Sequence, residues 1–337
     1  MQISLNSPLD MHLHLRDMNM LKLVAPLSSE FAGAVIMPNL VPPVCEAEAM
    51  KAYQDRVMSA VQTKAFTPLM TLFLTPLDEK AIDAAQACPS FFGFKLYPAG
   101  ITTNSEGGCA NIAEADKTLR ILEERGIPLL VHGESHGFVM DREAEFLSIY
   151  RQLATKYPKL TISMEHITTA AALDLLDEFE NICATVTLQH LLITLDDVAG
   201  GALQPHLFCK PIAKRPADRD ALLSAALAGN PKLMFGSDSA PHPRCKKESC
   251  GCAAGVFTSP VSLPKLAEVF VANKAEKQLQ AFISDNAQQI YGIKPAAKTV
   301  VLHDVPMSVP ARYQSYGEEV VPMFAGETLP WSVKEIR

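Results

Sequence analysis

Two histidines near the start of the chain, His12 and His14, are spaced so that both side chains could bind one metal ion. Residues 3–9 alternate between apolar and polar types, which predicts a first β-strand there. Side chains two positions apart on a strand point to the same side, so both imidazoles and Arg16 would project together from the end of this strand. Imidazoles are common ligands of transition metals, and a guanidinium can bind a carboxylate through paired hydrogen bonds.

A simpler interpretation of His12 and His14 is that two histidines alternate by chance on an exposed edge strand. A bare His-x-His pattern is a weak motif. The hypothesis of a metal site therefore depends on whether other segments of the chain supply further ligands.

Four further candidate ligands follow or interrupt apolar segments. Lys95 lies within the apolar segment 91–97, where burying an ammonium ion is costly. Its amine could extend to solvent, or it could lose its charge and take up carbon dioxide as a carbamate able to bridge two metal ions. His132 and His166 end two apolar segments at equivalent positions, and Asp238 follows another. With the two N-terminal histidines, these residues could hold two divalent ions, and such mainly nitrogen ligands suit zinc.

Eight apolar segments of strand length recur between longer amphipathic segments such as 47–61 and 112–124. The predicted strands span residues 3–9, 33–37, 66–74, 91–96, 127–132, 160–166, 182–187 and 231–236. Regular alternation of strand and helix predicts a parallel sheet, and eight such units predict a closed α/β (β/α)8 TIM barrel. An open doubly wound sheet is the alternative, but no G-x-G-x-x-G loop follows the first strand. Functional groups in a barrel lie at the C-terminal strand ends, where the candidate ligands fall.

The 337 residues fit either two ordinary domains or one large barrel. No linker rich in glycine, serine or proline divides the chain, so we interpret residues 1–337 as one barrel domain. Residues 298–337 are predicted to form a C-terminal accessory segment packed on the barrel, with Trp331 buried beneath it.

The composition is ordinary for a soluble globular enzyme and leaves a small anionic substrate possible. The net charge of −7 and the lack of a basic run argue against a nucleic-acid or anionic-membrane surface. We find neither a signal-peptide pattern nor a run of about 18 apolar residues, which predicts a cytoplasmic location. Cys245, Cys250 and Cys252 lack the paired C-x-x-C spacing of a structural zinc site, and we predict that they are reduced loop thiols.

The order of these motifs resembles the amidohydrolase superfamily and, within it, the dihydroorotase family of the shorter bacterial type. The resemblance covers nearly the whole chain. It rests on the segments 10–16, 37–39, 93–98, 131–134, 165–168, 210–211 and 236–242.

The resemblance implies two zinc ions bridged by a hydroxide and by Lys95 in its carboxylated form, N6-carboxylysine. Asp238 would be the catalytic residue, since it would take a proton from the hydroxide and deliver it to the leaving amide nitrogen. The implied ligands are His12, His14, Lys95 and Asp238 for one ion, and Lys95, His132 and His166 for the other. A histidine after the seventh strand, His190, is interpreted as a residue that either supports a ligand from outside the set or packs against the site, because this set is already complete.

The implied reaction is the reversible hydrolysis of L-dihydroorotate, an anionic cyclic imide, to N-carbamoyl-L-aspartate in the synthesis of the pyrimidine UMP. The substrate carboxylate would bind Arg16, Asn39 and His242, although Asn39 alone is equally suited to a turn. The ring amide would bind the backbone of Lys210 and of Ala254, with Ala253 as the alternative to Ala254. The full substrate-binding set implied by the resemblance is His14, Arg16, Asn39, His132, Lys210, His242 and Ala254.

Residues 100–105 resemble the mobile loop of this family, in which Thr102 and Thr103 close over the substrate and exclude water. An ordinary β-turn is the alternative interpretation. The resemblance also implies a homodimer.

Other functions share parts of this pattern. A hydantoinase or allantoinase would keep the metal site, but a neutral hydantoin has no carboxylate for Arg16 and Asn39. A mononuclear deaminase would not need Lys95. A non-catalytic assembly relative would be expected to have lost ligands, whereas this chain has all six candidates.

Overall fold

The computed structural model describes residues 1–61, 63, 65–105, 107–108 and 112–337. The chain begins with a short strand, β1 (Gln2–Asn6), and then builds an eight-stranded parallel sheet whose strand order follows the chain order. The strands of this sheet are β2 (Leu9–Leu13), β3 (Gly33–Ile36), β4 (Thr67–Phe73), β5 (Phe91–Leu96), β6 (Leu129–Val131), β7 (Ile162–Met164), β8 (Ile182–Val186) and β9 (Leu233–Phe235).

Helices separate the strands and cover the outside of the sheet. For example, the second helix buries Met50, Tyr53 and Val57, which helical spacing places on one face. The helices are α1 (Met18–Val24), α2 (Ala47–Val61), α3 (Glu79–Gln86), α4 (Asp116–Arg125), α5 (Arg142–Lys156), α6 (Ala170–Glu178), α7 (Leu188–Leu192), α8 (Leu195–Ala199), α9 (Pro216–Ala228), α10 (Arg244–Lys247), α11 (Ser262–Ala272), α12 (Glu276–Gln280) and α13 (Asn286–Tyr291). In the described ranges, we find no helix that is both long enough and apolar enough to cross a membrane.

The sheet closes into a barrel through backbone hydrogen bonds just beyond the ends of β2 and β9. The amide of His14 donates to the carbonyl oxygen of Ser239 at 3.1 Å, and the amide of Asp238 donates to that of His12 at 2.8 Å. The predicted (β/α)8 barrel is therefore confirmed. Its closure also brings Asp238 beside the two N-terminal histidines.

The prediction that residues 3–9 form the first barrel strand is wrong. The chain breaks at Ser7, which has a φ of +46°, and at the following proline, which has no N–H to donate. The residues before the break form β1, outside the barrel, and those after it form β2. Apolar and polar residues alternate in both segments, so this alternation does not reveal the break between them. Each of the other seven predicted strands overlaps an observed barrel strand and is confirmed.

The strands of the C-terminal region are β10 (Thr299–His303), β11 (Met307–Ser308), β12 (Tyr313–Ser315), β13 (Glu318–Val320), β14 (Thr328–Leu329) and β15 (Ser332–Ile336). β10 pairs antiparallel with both β1 and β15, so the two ends of the chain share one small sheet. Trp331 is buried, as predicted.

The barrel interior holds an apolar layer that includes Met11, Val35, Leu130 and Met234. Packing between the sheet and the surrounding helices supplies the larger core. The C-terminal ends of the strands carry buried polar and charged side chains instead.

Candidate active site

The six candidate ligands converge at the C-terminal end of the barrel, and all six side chains are buried. Five of them also line one cavity, and Lys95 lies within β5 beneath it. The cavity-lining members are His12, His14, His132, His166 and Asp238.

The first group of ligand atoms comes from the two strands that close the barrel. The Nε2 atoms of His12 and His14 are 3.3 Å apart. An Asp238 carboxylate oxygen lies 3.1 Å from the His14 Nε2 and 3.6 Å from the His12 Nε2. Asp238 has a φ of +43°, an unfavourable conformation for this residue, and burial raises the pKa of its carboxyl. These three residues could hold one metal ion.

The second group lies alongside the first. The Nδ1 of His132 is 3.1 Å from the Nε2 of His166, and the ring of His166 lies 4.9 Å, centre to centre, from that of His12. The hydroxyl of Thr185 accepts a hydrogen bond from the His166 amide at 2.8 Å. His166 also has a positive φ, of +43°.

Lys95 is buried close to these histidines, and its ammonium does not extend to solvent. The Nζ atom is buried and has no hydrogen-bond partner among the described residues. It lies 5.1 Å from the centre of the Tyr97 ring. Burial lowers the pKa of Lys95 to about 8, against the opposing effects of Glu165 and Asp238. The alternative in which this lysine reaches solvent is therefore excluded.

Two buried carboxylates orient His12 and His132 by contacting the ring nitrogen that faces away from the cluster. Glu165 contacts the Nδ1 of His12 across the barrel, and Glu134 lies 2.8 Å from the Nε2 of His132. Each contact occupies the ring nitrogen that points away from the cluster and leaves the other nitrogen facing it. Burial raises the pKa of Glu165, but the bond and charge of His12, the charge of Lys95 and the hydrogen bond from Ser163 together outweigh this effect, so the net direction is downward.

A third carboxylate fixes the backbone at the barrel closure. Asp10, fully buried, accepts hydrogen bonds from the amide and the hydroxyl of Ser237 at 2.8 and 2.5 Å, and from the amide of His12 at 3.2 Å. Burial raises the pKa of Asp10 to about 7. Asp10, Glu134 and Glu165 were not predicted to be site residues. The sequence feature that could have indicated them is that each lies one or two residues from a predicted histidine ligand.

Six of the seven predicted substrate-binding residues line the same cavity, whereas His242 lies outside its lining and contacts Arg16. Arg16 donates from Nε to the carbonyl oxygen of Pro241 at 2.9 Å, and its Nη2 lies 3.0 Å from the Nε2 of His242. The same His242 nitrogen lies 2.9 Å from the carbonyl oxygen of Ala254. Ala254 borders the cavity, whereas the carbonyl of Ala253 accepts a hydrogen bond from Lys247.

The predicted mobile loop forms a turn placed over the cavity, with both threonines lining it. The Asn39 amide donates to the carbonyl oxygen of Thr103 at 3.1 Å, and Asn104 donates back to the carbonyl oxygen of Asn39 at 3.1 Å. The Lys210 ammonium donates to the carbonyl oxygen of Ile101 at 2.8 Å. The side chain of Lys210, whose role the sequence left open, therefore holds the loop.

His190 and the clustered cysteines lie outside this ligand set. The two ring nitrogens of His190 contact the Thr187 hydroxyl at 2.9 Å and the Pro211 carbonyl oxygen at 3.0 Å. Both ring nitrogens therefore make contacts outside the ligand set, and the exclusion of His190 from that set stays a prediction. Cys245, Cys250 and Cys252 form no disulfide within the described part of the chain, and Cys245 lies in α10 rather than in a loop, contrary to the prediction.

The fold and the arrangement of histidines, lysine and aspartate define a class of hydrolase. A family model described as amidohydrolase matches residues 10–293, which is more than half of the chain. The chain belongs to the amidohydrolase family. It is a hydrolase of the kind that acts on cyclic amides.

The relatives narrow this class to the dihydroorotases. The dihydroorotase of Helicobacter hepaticus is 43% identical over 339 residues, which cover 99% of this chain and 98% of the relative. The solved structure of dihydroorotase from Campylobacter jejuni has a TM-score of 0.94 and 52% identity, covering 99% of this chain and 98% of that one. The Saccharomyces cerevisiae dihydroorotase in complex with 5-fluoroorotic acid has a TM-score of 0.92 and 33% identity, with the same coverage. The resemblance to the dihydroorotase family is confirmed.

The contact between Lys210 and the loop can be tested in solution. Replacing Lys210 with methionine removes a hydrogen bond from a charged donor, so amide hydrogen exchange in residues 100–105 should accelerate by about tenfold. Mass spectrometry of exchanged peptides measures this rate. Lys80→Met, which changes an exposed lysine on α3, is the control and should leave the loop unaffected. Equal exchange in the Lys210 variant and the wild type would show that this bond does not hold the loop.

Proposed function

We propose that this protein catalyses the reversible hydrolysis of L-dihydroorotate to N-carbamoyl-L-aspartate. The observation that carries the proposal is a cation without a counter-ion beside the histidine cluster. Arg16 faces the cavity and, within the described part of the chain, forms no ion pair with a carboxylate. An anionic cyclic amide complements this arrangement, and the family relationship supports the same substrate. A neutral hydantoin would leave Arg16 without an anion, so the hydantoinase alternative is not favoured.

The donor set fits two divalent cations, which we propose are zinc. Imidazole nitrogens 3.1 and 3.3 Å apart face one another in two adjacent pairs, and close by lies the buried Lys95 amine, which has no hydrogen-bond partner in the described ranges. Such buried polar atoms need partners, and cations would supply them. The proposed ligands are His12, His14, Lys95 and Asp238 for one ion, and Lys95, His132 and His166 for the other. When bound, the two ions would supply a water molecule that ionises near neutral pH and would polarise the amide carbonyl.

We propose that Lys95 is carboxylated. The lone pair of the neutral amine would form a new bond to the carbon of carbon dioxide, one C=O π bond would open with its electron pair moving to oxygen, and the nitrogen would release one proton to water. The product is a carbamate anion with two oxygen ligands. The burial of Nζ and its lack of a hydrogen-bond partner in the part of the chain that the structure describes support this modification, because both favour the uncharged amine that reacts.

Arg16 and His242 would bind the carboxylate of the substrate. The His242 Nε2 contacts both Arg16 and the Ala254 carbonyl, but one ring nitrogen either donates or accepts. When it donates to Ala254, the Nη2 hydrogens of Arg16 are left for an anion. Asn39, which bonds to the loop at Thr103, would link substrate binding to loop closure.

Asp238 is positioned to move the proton. Its carboxylate lines the cavity beside His12 and His14, so it can take a proton from the attacking water and deliver it to the leaving amide nitrogen. Thr102 and Thr103 cover the same cavity and would exclude bulk water during this transfer.

We also propose a homodimer, on the basis of the family resemblance alone, and a cytoplasmic location, on the basis of the sequence pattern. Analytical ultracentrifugation of the purified chain would test the dimer, and a mass of one chain would contradict it.

The role of Arg16 can be separated from that of the metal site. Arg16→Met removes a charge-assisted contact, so the KM for dihydroorotate should rise by roughly 10- to 100-fold. Hydrolysis of dihydrouracil, which lacks the carboxylate, should change little. Arg120→Met, at an exposed surface pair with Asp116, is the control. A similar loss with both substrates would contradict the proposed carboxylate contact, and no turnover of dihydroorotate by the wild type would refute the function.

The support of His12 by Glu165 predicts an effect on metal binding. Glu165→Gln removes the charge that fixes the imidazole, so zinc affinity should fall by about 10- to 100-fold. Competition with a chelator measures this affinity on the metal-free protein, without any assay of activity. Glu180→Gln, which changes an exposed side chain, should bind zinc as the wild type does. Unchanged zinc affinity in the Glu165 variant would contradict the proposal that Glu165 supports His12 as a metal ligand.

A further inference from the structure

Lys247 is a buried lysine whose ammonium, among the described residues, donates hydrogen bonds only to backbone carbonyl groups. It ends α10 with 3% of its surface exposed, and we find no ion pair to it in the described part of the chain. Its ammonium donates to the carbonyl oxygens of Phe208, Ala253 and Gly255 at 2.9, 2.8 and 2.7 Å. An ammonium has three N–H donors, so these contacts use all of them. The burial of this charge depends on those carbonyls.

The three acceptors belong to two segments that border the cavity. Ala254, which lines the cavity, lies between Ala253 and Gly255, and its carbonyl contacts His242. Phe208 is two residues before Lys210, which also lines the cavity. The Gly255 amide donates to the Phe208 carbonyl oxygen at 2.9 Å, so the two segments are also joined directly.

The segment around Gly255 has little freedom to relax. Its φ is +150°, and a β-carbon there would lie 2.3 Å from the carbonyl oxygen of Ala240. Without the Lys247 ammonium, three carbonyl dipoles would converge on an empty space and repel one another. Removal of the charge would therefore shift the backbone on one or both sides of the cavity.

We infer that Lys247 is a positioning residue for the substrate, which sets the distance between the backbone near Lys210 and the backbone at Ala254. These are the two backbone segments proposed to hold the ring amide, so the inference rests on the proposed function. Lys247 itself lies outside the set of residues that line the cavity. It acts through the carbonyls that it binds.

A positioning role and a purely structural role predict different kinetics. Displaced backbone contacts weaken the binding of the substrate, whereas a damaged barrel would lose bound metal and lower kcat. The KM, the kcat and the metal content of one sample together distinguish these outcomes.

The test compares Lys247→Met with Lys246→Met, which changes the exposed neighbouring lysine. We expect the KM for dihydroorotate to rise by about tenfold or more in the Lys247 variant, with metal content retained and kcat little changed. The Lys246 variant should behave as the wild type. In Lys247→Gly, added propylammonium should lower the KM again, because it restores a cation in the space left by the side chain, whereas propanol should not.

The outcomes separate the two hypotheses. A wild type that does not hydrolyse dihydroorotate refutes the proposed function. An active wild type with an unchanged KM in Lys247→Met refutes the positioning role alone. Loss of metal and kcat in the Lys247 variants without rescue by propylammonium also refutes it. If Lys247→Met does not fold, the rescue of Lys247→Gly, purified with propylammonium, decides the question.

Discussion

The structure depends on the burial of several polar groups that do not satisfy one another's hydrogen-bonding capacity. Four imidazoles, a carboxylate and the amine of Lys95 lie together at one end of the barrel, and the Nζ of Lys95 and the Nδ1 of His166 have no hydrogen-bond partner among the described residues. Each such atom destabilises a fold unless a partner is supplied. Divalent cations and a carbamate would supply those partners, which is why the arrangement indicates a metal centre rather than a stabilising core.

The rest of the barrel end holds these groups in place. Two backbone hydrogen bonds close the sheet and bring Asp238 to His12 and His14, and Asp10 ties the two closing strands together. Glu165 reaches across the barrel to His12. The positive φ angles of His166 and Asp238 show that the backbone itself is constrained at these positions. Three cations complete the site in different ways: Arg16 faces the cavity, Lys210 holds the loop and Lys247 joins two backbone segments.

The sequence predicted those features that follow from local pattern. Alternating strands and helices predicted the barrel, and the position of each ligand at a strand end predicted that the ligands converge. The break at Ser7 was missed because the alternation of apolar and polar residues continues across it, and because β1 pairs with β10, about 300 residues further along the chain. The contacts of Glu165 and Lys247 were missed for the same reason. Their side-chain types are visible in the sequence, but their partners come from other strands and loops.

The most direct test is a crystal structure grown with zinc and bicarbonate, with anomalous diffraction collected at the zinc absorption edge. We predict two anomalous peaks, one beside His12, His14 and Asp238 and one beside His132 and His166. Electron density should extend from the Nζ of Lys95 to both peaks. A single peak, or a Lys95 amine without additional density in the metal-loaded protein, would contradict a binuclear centre bridged by carboxylated lysine.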